Sequence, residues 1–261
     1  MTPAPGATAA RRPLIAANWK MHFRAGEAAR YFATFLAPPP DLADRDALFC
    51  VPAPLLPEAA RALAGTDIAL GAQNIHWEDR GPFTGEVSGP MVASAGASHC
   101  LVGHSERRQL FGEDDAAVAR KLRAALRNGL RPVLCVGEQL DERRAGRASA
   151  TVLGQLERAL EGLDAAALET LAIAYEPVWA IGTGETATPE IAAEMHAAIR
   201  AALRRLLGDA VAARLRILYG GSVTPENAER LLAEREIDGA LVGGASLDPL
   251  AFRRIVAAGR S

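Results

Sequence analysis

The 261-residue chain has little that would tie it to a membrane, a polyanion or an oxidising compartment. It holds no run of 18 apolar residues, the length at which a segment begins to read as a membrane span. Its 29 basic and 31 acidic residues leave a net charge of −2, so nothing draws the whole chain toward nucleic acid or an anionic surface. Cysteine is scarce: Cys50, Cys100 and Cys135 are odd in number and lack metal-like spacing. All three sit in or beside apolar runs. They read as small buried hydrophobes in a reducing, cytoplasmic compartment. No HExxH, CxxC or Ser-His-Asp order is present, and no GxGxxG follows a strand. A metal, a covalent nucleophile and a dinucleotide cofactor are therefore without support. The opening "MTPAPGATAARRP" lacks the long apolar centre of a signal peptide. Residues 1–12 read as a mobile tail, with Arg11 and Arg12 as solvated charges, ahead of one domain over 13–261.

What the chain does have is a rhythm. Short, mostly unalternated apolar runs recur at 14–18, 47–51, 68–72, 100–103, 132–136, 171–176, 215–220 and 239–244. Such runs read as strands buried on both faces, as in parallel sheets. Helical patterns lie between them. The clearest is 188–207, where Thr188 fits an N-cap and Pro189 the first helical position. Ile191, Met195, Ala198, Ala202 and Leu206 predict its buried stripe. "TPENAERLLAE" at 224–234 repeats the Thr-Pro opening. Strands alternating with helices imply a parallel α/β protein. Eight units in this length favour a closed (β/α)₈ barrel over an open doubly wound sheet, although periodicity alone does not close it.

In parallel α/β folds, chemistry collects at the carboxyl ends of strands. The first run is followed by Asn18 and Lys20, the fourth by His104, Ser105 and Glu106, and the sixth ends on Glu176. Behind the seventh come Gly220, Gly221 and Ser222, and the eighth ends on Gly243 and Gly244. Ionisable groups at one set of ends and small residues at the other suggest two jobs, chemistry and anion binding. Gly-rich turns expose backbone N–H groups that hold phosphate well, and "GTG" at 182–184 could add another. Singly, each of these residues has a bland reading as a solvated lysine, a structural histidine, a capping acid or a turn glycine. Together they point to general acid–base chemistry on a small phosphorylated molecule. His76, His99 and His196 read as structural or exposed.

"NWKM", "VGHSERR", "YEPVWAIGTG", "YGGSV" and "LVGGASL" stand in an order and spacing that resembles the triosephosphate isomerase family, from Leu14 to Ala258. There are departures: an N-terminal extension, His22 where many members have Asn, and Asp248 where a basic residue is common. The resemblance implies that Glu176 is the general base, made more basic by burial, and that the following "PVWAIGTG" is a lid. It implies that neutral His104 serves as the electrophile and that Lys20 and Asn18 stabilise developing charge. Gly182, Ser222, Gly243 and Gly244 would hold the phosphate, with Glu106 supporting Lys20. Neither cofactor nor metal is implied. The expected partner is a second copy of the chain, entered by the loop "HWEDRGPFTGE" near Thr84, with the aromatic residues Trp77 and Phe83 on its protruding surface. Two rival readings stay open, a non-catalytic phosphate-binding barrel and another sugar-phosphate isomerase.

Overall fold

The structure, a computed structural model, describes residues 11–181 and 187–259. Eight strands, β1 (Leu14–Asn18), β2 (Asp46–Val51), β3 (Ala69–Ala72), β4 (His99–Val102), β5 (Arg131–Val136), β6 (Ala172–Tyr175), β7 (Arg216–Tyr219) and β8 (Gly239–Val242), form the sheet. Each pairs in parallel with the next, and β1 also pairs with β8, aligning Leu14 with Gly239 and Ala16 with Leu241. The sheet is thus the closed (β/α)₈ barrel that the eight apolar runs predict.

The pleat explains why those runs do not alternate in polarity. Leu14, Ala16, Leu48, Cys50, Val133, Cys135, Leu218 and Leu241 fill the barrel interior. Their neighbours Ile15, Ala17, Phe49, Leu134 and Ile217 face outward into the layer beneath the helices. Successive side chains point to opposite faces, and here both faces are dry, so the strand interiors are apolar and polar residues such as Asn18, Asp46, His99, Arg131 and Arg216 stand only at strand ends. All three cysteines are free and buried. An aromatic cluster of Trp19, Tyr31, Phe32, Phe35, Phe49 and Phe252 packs behind the first two strands.

Two local expectations need correction. The helix Pro189–Leu207 does start on Thr188, whose hydroxyl accepts from the Ile191 amide at 3.3 Å. Its buried face includes the expected Met195 and Ala202 but otherwise runs through Ala192, His196, Ile199, Arg200 and Leu203, while Leu206 is exposed. The predicted stripe is rotated because the face admits two polar residues that find partners. Arg200 donates to Asp238 at 2.5 Å and to the Leu215 carbonyl at 2.6 Å, and His196 meets the Glu236 carbonyl at 3.0 Å. Thr224-Pro225 does not open an α-helix, which spans only Ala228–Leu232. The Thr224 amide instead donates to the Asn227 side chain at 2.8 Å, closing a turn.

Arg11 is half-buried rather than solvated, and Arg12, although exposed as expected, is also paired. Arg11 donates to Asp238 at 2.5 Å, and Arg12 to Asp46 at 2.6 Å and to the carbonyls of Leu42, Ala43 and Arg45. Asp238 therefore joins the segment before β1 to the helix Pro189–Leu207 at the amino-terminal end of the barrel. The rest of the expected tail, residues 1–10, lies outside the described residues.

Candidate active site

The loops after β1, β4, β6, β7 and β8 meet around one cavity of about 410 Å³ at the carboxyl end of the barrel. Asn18, Lys20, His104, Glu176, Ser222, Gly243 and Gly244 all line it. Glu106 lines an adjoining cavity of about 370 Å³, together with Lys20, His104 and Met21. Gly182 and Gly184 lie outside the described residues.

Lys20 takes a backbone φ of 50°, a left-handed value that a residue with a side chain adopts at some cost. Three contacts hold it there. Its amide donates to the Asn18 side chain at 3.0 Å, its carbonyl accepts from Gln73 at 2.9 Å, and its ammonium reaches Glu106 at 2.6 Å. Gln73 also donates to the Cys50 carbonyl at 3.1 Å, so it ties the loop after β1 to the end of β2. Sequence reasoning passes over Gln73, although it directly follows β3, where the carboxyl-end rule would place it.

His104 is the N-cap of the short helix Ser105–Phe111. Its Nδ1 accepts from the Glu106 amide at 3.3 Å, and its Nε2 stands 2.9 Å from Glu176 Oε1. An Nδ1 that accepts carries no proton, so the ring proton is on Nε2 and the imidazole is neutral, donating to the carboxylate. The second carboxylate oxygen accepts from the Ser105 amide at 2.8 Å.

Burial works to raise the pKa of Glu176, but His104 and the Ser105 amide together hold it below the ordinary carboxylate value. This overturns, for the ligand-free arrangement, the expectation of a base made stronger by burial. Burial likewise works to lower His104, but Glu176 beside it holds it above the ordinary imidazole value. The two groups hold each other in their resting states.

The main chain of Glu176 is fixed through the loop after β5. The Glu176 amide donates to the Val136 carbonyl at 2.8 Å and the Val178 amide to the Glu138 carbonyl at 3.1 Å. Buried Glu138 accepts from Tyr175 at 3.1 Å, Trp179 at 2.8 Å and Arg143 at 3.2 Å. Gly220 and Gly221 leave room for this segment. A β-carbon on Gly220 would lie 2.9 Å from Glu176 Cγ, and one on Gly221 3.0 Å from Pro177 Cγ. The sequence alone assigns no role to Ser105, Glu138 or Gly220 in holding Glu176.

The family model of triosephosphate isomerase matches residues 13–259. The chain belongs to the triosephosphate isomerase family. Its relatives include the triosephosphate isomerases of Herpetosiphon aurantiacus, 53% identical, and Chloroflexus aurantiacus, 52% identical. Each alignment spans 246 residues, 94% of this chain and 98% of the relative. The crystal structure of triosephosphate isomerase from Bartonella henselae, 44% identical, superposes with a TM-score of 0.83 over 94% of this chain and 98% of that one. Triosephosphate isomerase family membership thus spans the whole barrel, including every loop that lines the cavity. Among the described residues, no group of three or more His, Cys, Asp or Glu side chains could hold a metal ion. No helix among them is long and apolar enough to cross a membrane.

Proposed function

We propose that the chain interconverts dihydroxyacetone phosphate and D-glyceraldehyde 3-phosphate, with Glu176 as the base. The observation that carries this reading is the pairing of a buried carboxylate with a neutral imidazole donor beside a lysine, in one cavity whose other wall is glycine-rich backbone. A barrel that only bound phosphate would have no use for that pairing. Substrate enters between Glu176 and His104, and Nε2–H turns from the carboxylate to the substrate oxygens. Glu176 then removes a proton from the carbon beside the carbonyl, giving an enediolate. His104 moves a proton between the two oxygens, and Glu176 returns its proton to the neighbouring carbon. Lys20 and Asn18 stabilise the charge that develops on oxygen. Backbone N–H groups at Ser222, Gly243 and Gly244 receive the phosphate, joined by Gly182. Glu106 holds the Lys20 ammonium in place, and the segment from Pro177 onward closes over the substrate. The chemistry calls for neither cofactor nor metal.

The proposed assembly is a homodimer. Met21, next to catalytic Lys20, is 96% exposed, and Phe111 across the adjoining cavity is 66% exposed. Apolar surface beside a catalytic group marks an interface. The occupant we assign is the Thr84 loop of a second copy. Thr84 and Phe83 are exposed, as expected, but Trp77 is half-buried under the Arg120 guanidinium, 4.0 Å from its ring centroid. Of the three residues expected on the protruding surface, Phe83 and Thr84 are there and Trp77 is not. A cytoplasmic site and a place in glycolysis and gluconeogenesis fit a family of this activity.

A coupled assay of triose-phosphate isomerisation in both directions tests the reading. Turnover of both substrates is expected. Phosphate binding without turnover would favour the binding-protein reading, and turnover of a different sugar phosphate in their place would favour the other isomerase.

A further inference from the structure

We infer that Gln155 is a positioning residue for the base, acting through Gly137. The inference rests on the reading of Glu176 as the base. Gln155 lies on the helix Ala148–Leu160, outside the catalytic cavity. Its side-chain amide grips one residue by both main-chain groups. Oε1 accepts from the Gly137 amide at 2.9 Å, and Nε2 donates to the Gly137 carbonyl at 3.1 Å. A primary amide has the adjacent acceptor and donor that this double contact needs, and an apolar side chain has neither.

The other side of Gly137 is the main chain of Glu176. A β-carbon on Gly137 would collide with the Glu176 carbonyl oxygen and lie 3.2 Å from Glu176 Cβ. Gly137 sits between the two bonds that fasten the base segment, Glu176 to Val136 and Val178 to Glu138. The backbone that carries the carboxylate thus rests directly on the residue that Gln155 grips. What surrounds this contact is not solid packing. A cavity of about 240 Å³ lies there, lined by Ser105, Gly137, Gln155, Glu176 and Val178 among others. With the grip released, Gly137 has space to shift into, and Glu176 loses its rear support. The carboxylate must meet a carbon-bound proton at close range, where a displacement of about 1 Å can cost about a hundredfold in rate.

Kinetics on Gln155→Leu, which removes both hydrogen bonds at similar volume, test the inference. The expected result is a fall in kcat of about tenfold, for a shift of a fraction of an ångström, with KM within about twofold. Gln155→Glu keeps an acceptor for the Gly137 amide and should recover part of the loss. In a Glu176→Asp background the same Leu change should cost clearly less than in wild type, since both act through one carboxylate. A lower melting temperature with unchanged kcat would make Gln155 merely structural and overturn the inference. So would equal losses in both backgrounds. If Gln155→Leu does not fold, Gln155→Glu decides: lowered kcat at preserved KM supports the inference, and unchanged kcat overturns it. Should Glu176→Asp itself keep full turnover, the base assignment fails, a result distinct from failure of the Gln155 grip.

Discussion

At the scale of single residues, the informative groups are those whose environment contradicts their type. His196 is fully buried, with one nitrogen on the Glu236 carbonyl. Burial pushes its pKa down to about 4. An unfolded chain takes up the proton near pH 6.5, so between about 6.5 and 4 the unfolded state binds more protons than the folded one. The stability is complete above that window and is lost as pH falls through it, by about 2 kcal/mol at pH 5 from this group alone. His99, also pushed down to about 4 by burial and by Arg131 and Arg216, adds in the same direction. Urea unfolding of wild type and His196→Asn at pH 7 and pH 5 checks this. The variant should lose less stability between the two pH values, and an identical loss would assign the acid sensitivity elsewhere. None of this is legible in the sequence, where a histidine in a helical stripe looks the same buried or exposed. Glu176, by contrast, stands out in the sequence itself, because an acid ending an apolar run has no packing reason to be there. Its pairing with His104 is not legible there, since strand order says which ends meet but not which atoms touch.

Among the elements, the strands are the most readable and the loops the least. A strand buried on both faces must be apolar apart from its ends, so all eight announce themselves within a residue or two. The rotated face of Pro189–Leu207 is hidden because Arg200 and His196 look solvent-facing until Asp238 and the carbonyls beyond the helix are in place. Gln73 and Gln155 escape notice for a related reason: each acts by gripping a backbone distant in sequence, and nothing local marks such a grip. The glycines after β7 and β8 are legible as a pair of turns aimed at one mouth. A β-carbon on Gly243 would stand 3.4 Å from Lys20 Cε, so a valine there would intrude on both the anion wall and the lysine. Gly243→Val should raise KM and the inhibition constant of inorganic phosphate together, about tenfold or more, by obstructing backbone N–H groups that would hold the anion. An unchanged phosphate constant would move the anion site elsewhere.

For the whole molecule, the closed barrel sets Asn18, Lys20, His104 and Glu176 from separate strands around one mouth, but its open flank at Met21 and the adjoining cavity asks for a cover. Thr84→Arg is expected to yield monomers of much lower turnover. A charged side chain enclosed at that contact, without a partner, costs several kcal/mol. Light scattering and activity on one dilution series would show the two falling together. Fully active monomers would reduce the loop to plain surface.

Steady-state kinetics of Glu176→Asp probe the assignment of the base most directly. Withdrawing the carboxylate by one methylene, roughly 1 Å, leaves its charge and the anion wall intact while spoiling its reach to the substrate carbon. A fall in kcat of about a hundredfold or more is expected, with KM little changed. Turnover within about threefold of wild type would contradict the assignment, because a base that can be moved that far without loss is not the base.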